Sequence, residues 1–309
     1  MKNVKISSSG ILCSFFSLIC LTLFSQQQPQ YTEYMYNTLS INSGYTGTNG
    51  SLEAILLHRS QWTGIEGSPT TQTFGVHGKI GNNAGIGLTV INDRIGPQNQ
   101  QYFNGMFAYR INFSENTILS LGLNAGVNLL NIDWSKGIYK VDGDAAFNTN
   151  INNNTRLIIG SGAYLYGENW YLGLSIPNFL ITESYNDIEE SLIRRRTHYY
   201  LQGGYVFNLS TSLKFKPTFL AKVVEGAPVS YDASLNFLMY EKLTLGVSYR
   251  FTDAISGLVG FQITNSFFLG YAYDRTITDL QKYNDGSHEI ILKFNLNEKT
   301  KLARSPRFF

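Results

Sequence analysis

An alternation with a period of two runs through much of the chain. From Leu119 to Leu129 the odd positions are apolar: Leu119, Leu121, Leu123, Ala125, Val127 and Leu129. The even positions are Ser120, Gly122, Asn124, Gly126 and Asn128. Val229 to Phe237 repeats the pattern, with Val229, Tyr231, Ala233, Leu235 and Phe237 set against Ser230, Asp232, Ser234 and Asn236. Lys242 to Thr252 does so again, with Leu243, Leu245, Val247, Tyr249 and Phe251 on one face. Alternation of this length predicts strands with one apolar face. The same reading over the whole chain predicts about fourteen strands, each near the length that crosses an outer membrane. They begin near Leu52, Thr70, Ala84, Gln100, Thr117, Arg156, Trp170, Arg196, Thr211, Pro228, Lys242, Ala254, Ser266 and Ser287.

The connections between these strands alternate in length. Those at 81–83, 114–116, 167–169, 208–210, 240–241 and 264–265 are tight, whereas 60–69, 93–99, 131–155, 177–195 and 274–286 are longer. This predicts an all-β fold: a transmembrane antiparallel β-barrel with short periplasmic turns and long extracellular loops. An even strand count puts both chain ends in the periplasm. A soluble sandwich gives no reason for such alternation. Aromatic residues gather near the predicted strand ends, as interfacial girdles do. Trp62, Trp134, Tyr199, Tyr200, Tyr249, Tyr271 and Tyr273 fall at the outer rim. Tyr109, Tyr166, Trp170, Phe207 and Phe267 fall at the inner one.

The first residues read differently. Lys2 and Lys5 precede an apolar run from Ile11 to Phe24, and Ser25 offers a cleavage point. That layout is a secretory signal, too short for a spanning helix. The expected organisation is a cleaved signal over 1–25, an N-terminal periplasmic or plug segment over 26–50, the barrel over 51–297, and a periplasmic tail over 298–309. The 26–50 segment carries Tyr31, Tyr34, Met35, Tyr36, Leu39 and Ile41, which want cover from water. The lumen is the nearest cover. No later stretch is apolar enough for a helical span.

Composition agrees with a membrane barrel. Charged residues are 15% of the chain and aromatic residues 14%, against about 25% charged in soluble domains. Loss of Lys2 and Lys5 with the signal takes the formal charge from +2 to zero, so no basic field attracts nucleic acid. Cys13 and Cys20 both lie in the signal, which leaves the mature chain without a thiol. Arg110, Lys214, Lys216, Asp232, Arg250, Glu289 and Lys293 fall on predicted lumen faces. Buried charges of both signs are expected to pair there, or else to line a water-filled bore.

Candidate chemistry is thin. Ser287 and His288 are adjacent, so on a strand they point to opposite faces and form no catalytic pair. His77 stands alone at a lumen position. Asp142-Gly143-Asp144 reads as a solvated turn rather than a cation site. Glu190 and Arg194 are spaced to pair if their loop is briefly helical. The expectation is a protein that is not an enzyme and takes no cofactor or metal.

Several strings resemble one family. Arg59-Ser60-Gln61-Trp62-Thr63-Gly64 is followed by Gly67-Ser68-Pro69 and Thr71. Gly85-Ile86-Gly87 leads to Asn92-Asp93-Arg94-Ile95-Gly96-Pro97, then Ala108-Tyr109-Arg110. Tyr271-Ala272-Tyr273-Asp274 and Gly286-Ser287-His288-Glu289 frame the last outer loop, and Ser305-Pro306-Arg307-Phe308-Phe309 closes the chain. From about Pro29 onward the sequence resembles the PorP/SprF outer-membrane proteins of type IX secretion. It departs from the family's usual Asn-Pro-Ala-Tyr-Ala-Gly at Asn42-Ser43-Gly44-Tyr45-Thr46-Gly47. Gly suits the turn, but the stiffness proline would give is lost.

The resemblance implies a bacterial outer-membrane protein of secretion and gliding motility. Some members work with the motor and the peptidoglycan-linked ring; others export or hold a large surface adhesin. The implied partners are outer-membrane lipid, a secreted surface protein or adhesin, and periplasmic components of type IX secretion. Arg59, Gln61 and Trp62 sit where they would either dock a partner at the outer mouth or brace the first loop. Trp134, Tyr139 and Phe147 are aromatic anchors among Asp and Asn in the largest loop, a composition that suits a protein interface. The competing reading is a channel for a small hydrophobic or polar solute.

Overall fold

The computed structural model describes residues 29–137, 149–180 and 196–296. Strands β1 (Glu53–Ser60), β2 (Thr70–Ile80), β3 (Ala84–Ile95), β4 (Gln98–Ser114) and β5 (Thr117–Ile132) follow one another as antiparallel neighbours. They continue through β6 (Ile151–Tyr166), β7 (Trp170–Ile176) and β8 (His198–Tyr205), which resumes after Val206 as Phe207–Asn208. Next come β9 (Leu213–Val224), β10 (Ser230–Met239), β11 (Leu243–Arg250), β12 (Ala254–Gln262), β13 (Phe267–Thr276) and β14 (Ser287–Asn295). β14 pairs back onto β1 from Glu53↔Asn295 to Ser60↔His288, which closes a barrel of fourteen antiparallel strands.

Burial is inverted relative to a soluble protein. On β5, Leu121 and Leu123 are exposed, Leu123 at 62%, while Ser120, Asn124 and Asn128 are buried. On β10, Tyr231, Leu235 and Phe237 face out, and Asp232, Ser234 and Asn236 face in. Apolar side chains outward and polar side chains inward is the arrangement lipid demands of a barrel. Closure leaves no strand edge, so every backbone ladder is paired within the hydrocarbon layer.

The expected tight turns are present, and Gly81 takes a left-handed φ of 57° in the first. The connection at 93–99 is not a long loop. β3 runs to Ile95, β4 starts at Gln98, and only Gly96 and Pro97 lie between them. The polar residues that suggested a loop belong to the strand: Asp93 faces inward and accepts a bond from the Thr71 hydroxyl at 2.6 Å. β6 likewise begins at Ile151 rather than near Arg156, and its Asn152–Asn154 run is strand, here in a largely exposed outer extension. Two further outer connections are short, 225–229 and 251–253.

Two of the aromatic residues assigned to the girdles face the other way. Tyr200 and Tyr166 are buried inside, whereas Tyr199, Tyr109, Tyr249 and Phe267 are exposed. Successive strand residues alternate, so an outward Tyr199 requires an inward Tyr200.

The lumen contains the chain itself. Residues 29–50 pass inside the strand wall, with two short 3-10 turns at Thr38–Ser40 and Ser43–Tyr45. Tyr31, Tyr34, Met35, Tyr36, Ile41 and Tyr45 are all buried. Tyr31 and Tyr34 bond the inward hydroxyls of Thr73 and Thr218, each at 2.9 Å. Asn42 caps the second turn by accepting from the Gly44 amide at 2.8 Å, and its Nδ2 donates to the Ala163 carbonyl at 3.1 Å. The wall is cut away to fit: a Cβ on Gly122 would run into the Ser43 backbone, and one on Gly85 into Thr46.

Candidate functional site: buried ion clusters that grip the lumenal segment

Arg59 faces inward on β1, directly across from Glu289 on β14. Asp274 on β13 lies one pleat further out, paired in register with Ser287. The guanidinium reaches Asp274 at 2.7 Å and Glu289 at 2.9 Å, and all three side chains are almost wholly buried. The remaining acceptor capacity of the carboxylates goes to the lumenal segment. Glu289 accepts the backbone amides of Thr32 at 3.0 Å and Glu33 at 2.7 Å. The Thr32 hydroxyl donates to Asp274 and accepts from Arg59 at 2.8 Å. The strand wall thus holds the chain at residues 32–33 through charge-assisted bonds, which are stronger than neutral ones. The Glu33 carboxyl adds to an acid-rich cluster. Burial, then Glu289 and Asp274, push it well above the usual carboxylate range, against the pull of Arg59.

A second cluster holds the other end of the segment. The Gly47 amide donates to Nδ1 of His77 at 2.9 Å. In the neutral ring this leaves the proton on Nε2, which faces Oε1 of Glu53 at 3.2 Å. Lys293 approaches the same carboxylate at 3.5 Å, and Asn49 donates to it as well. His77 is therefore not isolated, as it seems along the sequence; it joins the lumenal segment to the wall. Arg110 donates to the carbonyls of Gly47 and Ala84, closing the grip from β4. A third pair, Arg250 and Asp232, meets at 2.7 Å on β11 and β10. Of the charges that the alternation placed inward, Asp232 and Arg250 pair with each other, Glu289 pairs with Arg59, Lys293 with Glu53, and Lys214 with Glu241 at the inner rim. Arg110 bonds backbone carbonyls, and Lys216 lies near the rings of Tyr36 and Tyr171.

Of the residues proposed for docking, Arg59 lies in the buried cluster and off the surface. Gln61 and Trp62 are half-buried at the start of the 61–69 loop. Trp62 has a φ of 50°, and its amide donates to Ser287 at 3.1 Å. That loop is laced to the 277–286 connection by Thr63 to Gly286 and Asp285 to Thr63 backbone bonds, both 2.8 Å. Trp134 sits apart from this pair of loops, packed with Leu130, Ile132 and Ile151 above β5 and β6. Tyr139, Phe147, Asp142–Asp144 and the Glu190–Arg194 pair lie outside the described residues. Thr32 and Glu33 escaped the sequence reading, since nothing local marks them. Asp274 stood in a quoted string without a role.

Among the described residues no group of three or more His, Cys, Asp or Glu is placed to hold a metal ion. His58 reaches Ser60 at 3.1 Å, but on the outward face.

Polar lumen, apolar exterior and full closure define the class: a β-barrel of the bacterial outer membrane, its bore occupied by its own N-terminal segment. Residues 23–294 match the family described as "Type IX secretion system membrane protein PorP/SprF", and the chain belongs to that family. Comparison with curated proteins gives no match. Among solved structures, the outer membrane protein Omp33 of Acinetobacter baumannii is 12% identical, with 81% of this chain and 100% of that one covered and a TM-score of 0.45. The Ralstonia pickettii toluene transporter TbuX is 8% identical, with 82% and 90% covered and a TM-score of 0.47. The CymD monoaromatic hydrocarbon channel is 10% identical over the same shares, also with a TM-score of 0.47.

Proposed function

We propose that this chain is a closed, non-enzymatic docking barrel of type IX secretion, which holds or helps export a surface protein at its outer mouth. The observation that carries this reading is the occupied lumen. Arg59, Asp274 and Glu289 come from three separate family-like strings, and all three bond the segment at Thr32 or Glu33. A barrel that commits its buried charges to its own lumenal segment is built to stay shut. A solute channel would spend them on a water-filled path.

With the bore closed, recognition falls to the outer loops, because loops on a rigid wall carry binding. The 133–150 connection, with Trp134, Tyr139 and Phe147, is the best candidate, and Gln61 and Trp62 form a second patch. The test is to shorten 138–148 and compare surface and supernatant proteomes. Folded barrel should persist while one secreted surface protein leaves the cell or accumulates inside. Normal barrel with no protein displaced would reject this loop as the docking surface. If deleting the whole chain displaces nothing and lowers uptake of a solute, the barrel is a channel.

A further inference from the structure

We propose a binding site for the carboxylate end of a small aliphatic acid in the outer vestibule, anchored by Lys222. Above the lumenal segment lies a cavity of about 70 Å³, floored by Pro29, Tyr31 and Ile41. Its walls include the aliphatic Ile91, Ile158 and Leu220 and the charged Lys222, Asp232 and Arg250. These wall residues come from the outer halves of their strands, so the site opens towards the outer mouth.

Lys222 is the feature that needs a ligand. It faces inward near the outer end of β9 and is 7% exposed, and its ammonium has no hydrogen-bond partner among the described residues. An ammonium has three donors and no acceptor, and a buried cation without a partner is strongly disfavoured. The carboxylate on the adjoining strand, Asp232, is taken by Arg250 at 2.7 Å. Arg250 also reaches Asp253 at 3.4 Å and the Tyr31 carbonyl at 3.5 Å. The charged residues lining the cavity are thus two cations and one carboxylate. Asp232 and Asp253 both pair with Arg250, and Lys222 is the group left with donors to give to a ligand.

The size and lining choose the rest of the ligand. A water's share of liquid volume is about 30 Å³, and a cavity of about 150 Å³ holds benzene. The space here takes a carboxylate and a few carbons. Isoleucine and leucine walls favour methylene groups over a hydrated phosphate or sulfate.

Ligand-observed saturation-transfer NMR on the purified barrel in a neutral detergent tests this directly. Propionate is the probe and propionamide its uncharged counterpart, with chloride and inorganic phosphate as competitors. Propionate should bind saturably, propionamide at least tenfold more weakly, and neither inorganic anion should displace propionate at equal concentration. Lys222→Met should weaken propionate at least tenfold. Ile158→Trp fills the cavity without touching a charge, and it should abolish binding even if Lys222→Met fails to fold. The proposal is overturned if propionate does not saturate, if propionamide binds equally, or if either folded variant binds as the parent does. Displacement by chloride alone would make the site a plain counter-ion site, which also overturns it.

Discussion

Replacing Arg59 by methionine tests the grip on the lumenal segment most directly. Methionine keeps most of the side-chain volume and removes the charge. Asp274 and Glu289 would then face each other and the Glu33 carboxyl with no cation between them, in a site where all four side chains are buried. Breaking a buried ion pair by removing one partner costs about 3–5 kcal/mol. Part of that is recovered when one carboxyl takes up a proton, because like charges at close quarters cannot all ionise. The Arg59 bond to the Thr32 hydroxyl is lost as well. Every 1.4 kcal/mol is a factor of ten, so the bound segment should lose about a hundredfold or more against its released form. The barrel itself keeps its fourteen-strand ladder. The heat-modifiable band on gels should therefore remain. Planar-bilayer recordings should change from near silence to frequent openings, and protease added from the periplasmic side should cut within residues 26–50. Adding Glu289→Gln to Arg59→Met removes one of the stranded charges and should recover part of the closure. A silent, protease-resistant Arg59→Met barrel would refute the reasoning, as would a parent protein with steady porin-like current.

Three further outcomes follow from the same geometry. Leu123→Arg puts a charge at a lipid-facing site, a cost of about 2–4 kcal/mol near the midplane, and should deplete the folded band far more than Asn124→Arg; equal loss would undo the assignment of faces. Gly85→Ala should leave the barrel folded but unseat Thr46 and Gly47, where the added methyl collides with backbone; overpacking of this kind costs about 1–3 kcal/mol, read as protease access to residues 26–50. Glu33 lies on the lumenal segment, facing Glu289, Asp274 and Arg59, with its docked pKa raised. Docking therefore takes up a proton: it is strongest below the ordinary glutamate range, about 4.3, and weakens as the pH climbs through the raised value. Conductance should rise with pH over that window and Glu33→Gln should flatten the slope; a slope of opposite sign would remove Glu33 from the latch.

The barrel was legible in the sequence because a period of two is written into every strand. Predicted and observed starts differ by two residues or fewer at thirteen strands, and by five at β6. Polar strand residues look like loop: Asp93 because the inward face of a membrane barrel is polar, and Asn152–Asn154 because β6 runs on as a largely exposed outer extension, where Asn153 takes a φ of 50° and the pairing with β5 shifts register. Tyr200 and Tyr166 misled in the other direction, since an aromatic near a strand end looks interfacial until the alternation of its neighbour is imposed. The ion cluster was visible only in part. Arg59, Asp274 and Glu289 stood in motif strings, but their meeting depends on β14 pairing with β1, a closure between chain ends that no local pattern encodes. Thr32 enters through a backbone amide and a hydroxyl, groups that carry no sequence signal of their own.

The division of the lumen is what links these sites to a role. From Thr32 to Asn49 the segment is bonded to the wall at both ends, by Glu289 and Asp274 near one and by His77, Glu53 and Arg110 near the other. Between the two grips, Asn42 and the Ile41 carbonyl are tied to β6 and β7. A segment fixed at three places is the ground for the proposal that the bore is closed to solutes. The vestibule above it is different: it retains an ammonium without a hydrogen-bond partner among the described residues and a lining that includes aliphatic side chains. The laced 61–69 and 277–286 loops stand above β1, β13 and β14, the strands of the first grip. A contact made at those loops is therefore one hydrogen bond, Trp62 to Ser287, and one strand residue, Asp274, away from the Thr32 clamp. The covalent and hydrogen-bonded path from outer mouth to lumenal segment is short, so the docking proposed above would place a surface protein within reach of the clamp without its entering the bore.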